Sequence, residues 1–444
     1  MGPVRHLVVN CRDILPGWLL NLVYALVVLL CSPILLWRSL RLGKYRTGWS
    51  EKFLGHVPLY PKEKSSTPRI WLHAVSVGEV LQLRQVLVQL RSVLPEAEVI
   101  VSTTTRTGHD VAREKLQGVH VVYFPLDFTW AVKSALRRLQ PDVFVLVELE
   151  LWPNFLRSSI RQNVTLGLIN GRLSERSYKG YRRLRWLLRP LLSRFSFLAI
   201  QSDEYRDRFV AIGARAETCH VTGSIKFDGL QTSRDLPLTE ELRVQFGIEP
   251  TDRVFIAGST QEPEEQIALQ VYRELQPAYP QLRLILVPRH PERATAIARM
   301  VEEAGFSLQR RSQHGPPPQS GVRPVGMLDT VGELSACWGL ADIAFVGGSF
   351  GNRGGQNMME PAAYGAAVCF GPNTRNFRQI VELLTQADAV QVVQDPAALK
   401  AFVEKMLQYP DEGAELGRRA QQLVLSQQGA TQRTIDLLRA SFSA

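Results

Sequence analysis

The strongest constraint in this chain is a rhythm that occurs twice. Short apolar runs at 69–74, 98–102, 120–124, 142–147, 164–170, 197–201 and 220–222 alternate with longer, mixed stretches. Three of the latter, 80–93, 129–139 and 203–212, place their apolar residues at helical spacing. Short buried strands separated by helices predict a parallel sheet covered on both faces. From 226 to 250 the chain turns polar and carries Pro237 and Pro250, the mark of a linker. The rhythm restarts at 254–257, 282–287, 322–325, 343–346, 367–370 and 390–393, with 313–321 as a surface loop and helices from 395 onward. The predicted fold class is α/β: two Rossmann-like, doubly wound domains with a cleft between them. The predicted division is an N-terminal segment 1–45, a first domain 46–228, a linker 229–250, and a second domain 251–444 that includes the C-terminal helices.

The segment 18–37 reads WLLNLVYALVVLLCSPILLW and carries no charge. About 20 apolar residues suffice to cross a bilayer as a helix. Arg38, Arg41, Lys44 and Arg46 follow at once, while Arg5 and Arg12 precede it more sparsely. By the positive-inside rule, everything after Arg38 is expected in the cytoplasm. No small-residue cleavage site precedes the basic cluster, so the segment reads as an uncleaved anchor. Pro33 keeps a shallow interfacial placement open as well.

Charge narrows the partners. Lys and Arg total 52 against 42 Asp and Glu, a formal excess of +10, which suits an acidic membrane surface, a phosphorylated substrate or nucleic acid. Nucleic acid ranks last, because the chain also carries an apolar anchor. Lys179, Arg182, Arg183, Arg185, Arg189 and Arg194 cluster with Tyr178, Tyr181 and Trp186. That mixture fits anionic lipid or the phosphates of a ligand as well as an ordinary solvated helix. The five cysteines, Cys11, Cys31, Cys219, Cys337 and Cys369, form no CxxC and no even framework, which favours a reducing compartment without structural zinc.

The missing motifs narrow the chemistry. There is no GxxxxGK[ST], no GxGxxG after the first strand of either half, no HExxH, and no pair of aspartates one residue apart. A P-loop ATPase is excluded and a dinucleotide oxidoreductase disfavoured. A metal-dependent transferase of the DxD type lacks its ligands, so organic cations and helix ends are expected to stabilise anionic charge.

In open α/β sheets ligands bind at the carboxyl ends of the strands. Polar or glycine-rich clusters follow most of the apolar runs, among them Ser76-Val77-Gly78-Glu79, Glu148-Leu149-Glu150, Gly258-Ser259-Thr260, Pro288-Arg289-His290 and Gly347-Gly348-Ser349. The stretch from Ala341 through Gly347-Gly348 and Gly354-Gly355 to Asn357 and Glu360 reads as a strand, a close-approach turn and a helix start. Free N–H groups there suit phosphate or ribose oxygens. Taken alone, it fits an ordinary turn with an Asn cap equally well.

Together these motifs resemble the Kdo (3-deoxy-D-manno-octulosonic acid) transferases of lipopolysaccharide synthesis, membrane-anchored GT-B glycosyltransferases. The resemblance rests on HAVSVGE (73–79), TTTRTG (103–108), ELELWPN (148–154), NGRLSERS (170–177), TGSIKFD (222–228), VPRHPER (287–293), DTVGEL (329–334), ADIAFVGGS (341–349) and RGGQNMMEPAA (353–363). Met358 stands where the family more often has Pro, and Gly171 replaces a more usual Ala. The resemblance implies inverting, metal-independent transfer of Kdo from CMP-Kdo to a phosphorylated lipid A precursor, lipid IVA, by a protein of the bacterial inner membrane. The first domain would bind the acceptor and the second the CMP-sugar. It further implies Glu79 as general base, with Glu148 and Lys226 assisting at the transition state. The CMP site would comprise Pro288, Arg289, Val331, Gly332, Glu333 and Asn357, Met358, Met359, Glu360. No cofactor or metal is expected. On the residues alone, three alternatives stand beside this one: another GT-B enzyme using a UDP-sugar and a lipid acceptor, a nucleotide-sugar epimerase, and a tethered binding protein. Arg172 is the expected partner of the strand-end carboxylate Glu148.

Overall fold

The computed structural model describes residues 16–42, 47–60, 67–313, 319 and 322–442. Arg5, Arg12, Cys11, Lys44, Arg46 and nearly all of the loop 313–321 lie outside the described residues. The chain divides into two compact units: residues 1–228 with 428–444, and residues 229–427.

The first unit is a seven-stranded parallel sheet. Its strands are β1 (Arg69–His73), β2 (Glu98–Thr103), β3 (His120–Tyr123), β4 (Val143–Val147), β5 (Thr165–Gly171), β6 (Phe197–Ile200) and β7 (Cys219–Val221), in the order β3-β2-β1-β4-β5-β6-β7. The order reverses between β1 and β4, which makes the ends of those two strands the switch point of a doubly wound sheet. Its helices are α1 (Gly17–Leu42), α2 (Trp49–Leu54), α3 (Val77–Val93), α4 (Arg106–Lys115), α5 (Thr129–Leu139), α6 (Pro153–Arg161), α7 (Glu175–Arg183), α8 (Arg185–Leu192) and α9 (Asp203–Ile212). The helices expected at 129–139 and 203–212 are found with those bounds. On one face of the sheet Leu136, Phe155, Leu188 and Phe209 pack over Trp71 and Phe144. On the other, Val80, Leu83 and Ala112 pack over Ile70 and Val145.

The second unit repeats the architecture with β8 (Arg253–Thr260), β9 (Leu282–Pro288), β10 (Leu308–Arg310), β11 (Val325–Met327), β12 (Ile343–Val346), β13 (Ala367–Phe370) and β14 (Gln391–Val392), in the order β10-β11-β9-β8-β12-β13-β14. Its switch point lies between β8 and β12. Strand β11 begins three residues later than the run at 322–325 suggested, and β10 was not foreseen.

Two boundaries differ from the division read off the sequence. The polar stretch 229–250 is part of the second unit and contains the helix Pro237–Phe246, whose Thr239, Leu242 and Phe246 are buried. Arg234 ties the stretch down by donating to the backbone oxygens of Tyr364, Gly339 and Ala341 at 3.0, 3.1 and 2.8 Å. At the other end, the helix Ala430–Ala440 belongs to the first unit, where Ile435 and Leu438 join the core over β1 and β4. The Asp228 carboxylate accepts from the N–H groups of Gly429 and Thr431, satisfying donors that the helix start leaves open.

Candidate active site

At the first switch point, the chain leaves β1 through Ala74 and Val75 and enters α3, with Ser76 as its N-cap. Glu79 closes this turn: its carboxylate accepts from the Val75 N–H and the Ser76 hydroxyl, both at 2.8 Å. The arrangement is close to a capping box, a structural role compatible with a catalytic one. A helix start by itself favours the ionised form of a first-turn acid such as Glu79. Its carboxyl instead lies above the ordinary range: burial raises it more than the Val75 and Ser76 bonds lower it, Glu148 adds to the rise, and His73 opposes it. A carboxylate shifted in that direction is a stronger proton acceptor once ionised.

Glu148 follows β4 directly, with a left-handed φ of 61° that turns the chain sharply away from the sheet. The residues that follow include Glu150, whose carboxylate accepts from Trp152 Nε1 at 3.1 Å and lies 3.7 Å from His73 Nε2. Glu79, Glu148, Glu150 and Arg172 line one open cavity of about 260 Å³ together with Ser174 and Ser177. The ion-pair partner of Glu148 is not Arg172, as expected, but Lys226, at 3.6 Å. Lys226 sits on a single 3-10 turn, Ile225–Phe227, between two buried hydrophobic residues. That turn is held by the buried side chain of Asn170, whose Oδ1 accepts from the Ile225 N–H at 3.2 Å. The first unit thus brings its three predicted catalytic residues to one strand-end neighbourhood.

The second unit distributes its predicted residues differently. Pro288 ends β9 and is buried, while Arg289 is exposed and its guanidinium has no partner among the described residues. After β11, Val331 is 84% exposed and Gly332 has a φ of 94°, so the backbone of this turn is accessible. The Glu333 side chain is engaged: Arg311 donates to its two oxygens at 3.0 and 2.6 Å, and the Thr330 hydroxyl donates to it as well. Met358 and Met359 are buried, so their side chains belong to the core. The helix expected near Asn357 begins at Met359. Asn357 accepts from the Met359 N–H at 3.2 Å and donates to Glu360 Oε1 at 2.9 Å. Burial raises the Glu360 carboxyl, an effect that the Asn357 amide opposes.

The glycine turn after β12 carries the clearest correction. Its glycines were expected to let a ligand come close to the backbone and its N–H groups. Those N–H groups are taken by Glu264, a residue 1% exposed, which accepts from Gly348, Ser349 and Phe350 at 2.6, 2.9 and 3.0 Å and from Gln261 at 2.8 Å. A Cβ on Gly347 would lie 2.7 Å from the Glu264 carboxylate, and Gly348 has a φ of 65°. These glycines accommodate an internal anion.

The family model described as 3-Deoxy-D-manno-octulosonic-acid transferase (kdotransferase) matches residues 47–229. The 3-deoxy-D-manno-octulosonic acid transferase of Haemophilus influenzae is 32% identical over 425 residues, 94% of this chain and 97% of that one. The chain belongs to the Kdo transferases. It is therefore a glycosyltransferase, as the motifs at both sets of strand ends suggested. The Kdo transferase of Bordetella pertussis is 34% identical over 384 residues, covering 83% of this chain and 86% of its own. Among solved structures, a UDP-GlcNAc 2-epimerase from Neisseria meningitidis bound to UDP-GlcNAc shares the fold, with a TM-score of 0.56 at 14% identity, over 84% of this chain and all of that one. This Kdo transferase thus has the GT-B architecture expected of it, with one apolar helix near its N-terminus that is long enough to cross a membrane.

Proposed function

We propose that this Kdo transferase moves Kdo from CMP-Kdo to the 6-hydroxyl of a glucosamine in a phosphorylated lipid A precursor, lipid IVA, by a single inverting displacement without a divalent ion. The observation that carries the reading is the convergence of Glu79, Glu148 and Arg172 on one cavity at a sheet switch point, with Lys226 paired to Glu148. Glu79 takes the hydroxyl proton as the oxygen forms its bond to the anomeric carbon of Kdo. The bond from that carbon to the CMP phosphate breaks, and the electron pair leaves with CMP. Lys226 offsets charge growing on the departing phosphate, the task a metal ion performs in other transferases. Glu148 holds Lys226 in place.

Donor recognition is assigned to the second unit. The Arg289 guanidinium, unpaired among the described residues, presents a planar fork to phosphate. The accessible backbone at Val331-Gly332 and the Glu360 carboxyl are assigned to the nucleoside, with Asn357 fixing the orientation of Glu360. Glu333 is assigned to shaping its turn through Arg311.

The test is incubation of purified protein with CMP-Kdo and a tetra-acylated, bis-phosphorylated lipid A precursor in EDTA. Release of CMP with a lipid mass increase of whole Kdo units, and an anomeric configuration opposite to the donor's, is the expected result. Protection against thermal unfolding by uridine but not cytidine nucleotides would overturn the donor.

A further inference from the structure

The apolar helix α1 is tied to the first unit at both ends. Near its start, Asn21 donates to the Thr129 hydroxyl at 2.8 Å and accepts from the Thr129 N–H at 3.1 Å and from Asn154 at 3.2 Å. One turn further on, Tyr24 donates to Asp127 at 2.9 Å. Leu20 is buried beside them. These polar side chains would be costly in lipid without partners, and their partners are the caps and first turns of α5 and α6. Past the far end of α1, the Thr47 hydroxyl is 3.1 Å from that of Tyr123, and Gly55 packs against the backbone of Ala131.

Chain length then restricts the path. From Tyr24 to Leu42 the helix covers 42 − 24 = 18 steps, about 27 Å at 1.5 Å per residue. From Leu42 back to Thr47 there are five steps, which reach at most about 18 Å. A hydrocarbon core is about 30 Å thick. A crossing helix with its start on the side of the first unit would leave Leu42 on the far side, too distant for Thr47 to return. A crossing helix of the opposite sense would carry Asn21 and Tyr24 away from Asp127 and Thr129.

Between Asn21 and Arg38 α1 has no charged side chain and is polar only at Tyr24 and Ser32, with Leu22, Leu26, Leu29, Leu30 and Ile34 exposed. A helix of that kind is immersed in lipid or protein, whereas one lying among head groups has a polar face. Pro33 stands nine residues from both Tyr24 and Leu42 and lacks the N–H that would resist a bend there. Around the tied ends the surface is aromatic, as at a membrane interface. Trp49 and Trp130 are half exposed, each stacked on a phenylalanine, and Trp130 Nε1 donates to the Phe53 carbonyl at 2.9 Å. Helices α5, α6 and α8 share one core on this side of the sheet, and α7 and α8 add the exposed Arg182, Arg183 and Arg185, complementary to anionic lipid.

We propose that α1 is monotopic: it enters and leaves the bilayer on the face where the first unit lies, dipping into one leaflet without crossing it. Both ends sit at the interface, clamped by the Asn21–Thr129 and Tyr24–Asp127 bonds and by the α2–α5 contact.

The test is side-specific labelling of the full chain with a membrane-impermeant maleimide, in right-side-out and inverted vesicles from expressing bacteria. Cys11 and Cys31 are first replaced by serine, and single cysteines are then introduced as Pro16→Cys at the helix start or Glu96→Cys on the first unit. Labelling of both positions from the same face, with the protein retained on the vesicles, is the expected result. Labelling of Pro16→Cys and Glu96→Cys from opposite faces would overturn the proposal. So would recovery of the protein in the soluble fraction as an oligomer that covers α1.

Discussion

The two switch points of this molecule share a topology and use it in opposite ways. Between β1 and β4 the strand ends open onto a cavity in which Glu79, Glu148 and Glu150 face one another beside Arg172. Between β8 and β12 the equivalent crevice is filled by the Glu264 carboxylate, which takes up the N–H groups of the glycine turn. A glycine turn after a strand is a ready anion site. What occupies it is decided by a side chain far away in sequence, so the same local motif serves a substrate in one protein and an internal carboxylate in another.

The contrast can be broken most forcefully at Glu264. Glu264→Ala leaves four backbone N–H groups without their acceptor, and a loss of roughly 3–5 kcal/mol is expected, read as a fall in Tm of roughly 10 °C. A change below about 1 kcal/mol in a denaturant titration would mean that the turn is free for a ligand after all.

Lys226→Met removes the cation from the open switch point. It is expected to lower kcat roughly 100-fold with thermal protection by CMP unchanged. Equal loss of CMP protection would make Lys226 a binding residue instead. Arg289→Met is expected to do the reverse, raising KM for the donor about tenfold with kcat little altered.

The smallest effect concerns pH. Glu79 must be ionised to accept a proton, and its carboxyl is raised, so kcat/KM should fall on acidification from a point above the usual carboxylate range. Glu148 contributes to that rise. In Glu148→Gln the acid limb of the residual activity is therefore expected to move to lower pH. An unmoved limb would assign it to another group.

Much of this was legible in the sequence. The strand runs of the first unit were apolar on both faces, and six of the second unit's seven strands were marked in the same way. β10 was missed because its three residues, Leu308–Arg310, are half-exposed and two are polar at a sheet edge. The closing helix looked like part of the second unit, since only the packing of Ile435 and Leu438 and the cap from Asp228 assign it elsewhere. Glu79 and Glu148 followed from the strand-end rule, whereas Lys226 in a polar stretch carried no signal beyond the family resemblance. His73 and Asn170 were inside recognised motifs, yet their roles come from contacts with Glu150 and with the turn at Ile225. Glu264 was hidden for a physical reason: an acid in the first turn of a helix reads as a complement to the helix dipole, and three of its four donors lie 84 to 86 residues away.

The most direct test of the account is single-turnover transfer by Glu79→Gln, set beside the wild type with CMP-Kdo and the lipid acceptor, on protein whose melting temperature and protection by CMP are measured in parallel. The account predicts transfer slowed roughly 100-fold to 10,000-fold, with folding and CMP protection intact. Transfer at the wild-type rate would show that Glu79 only caps its helix, and the proton acceptor would have to be sought elsewhere.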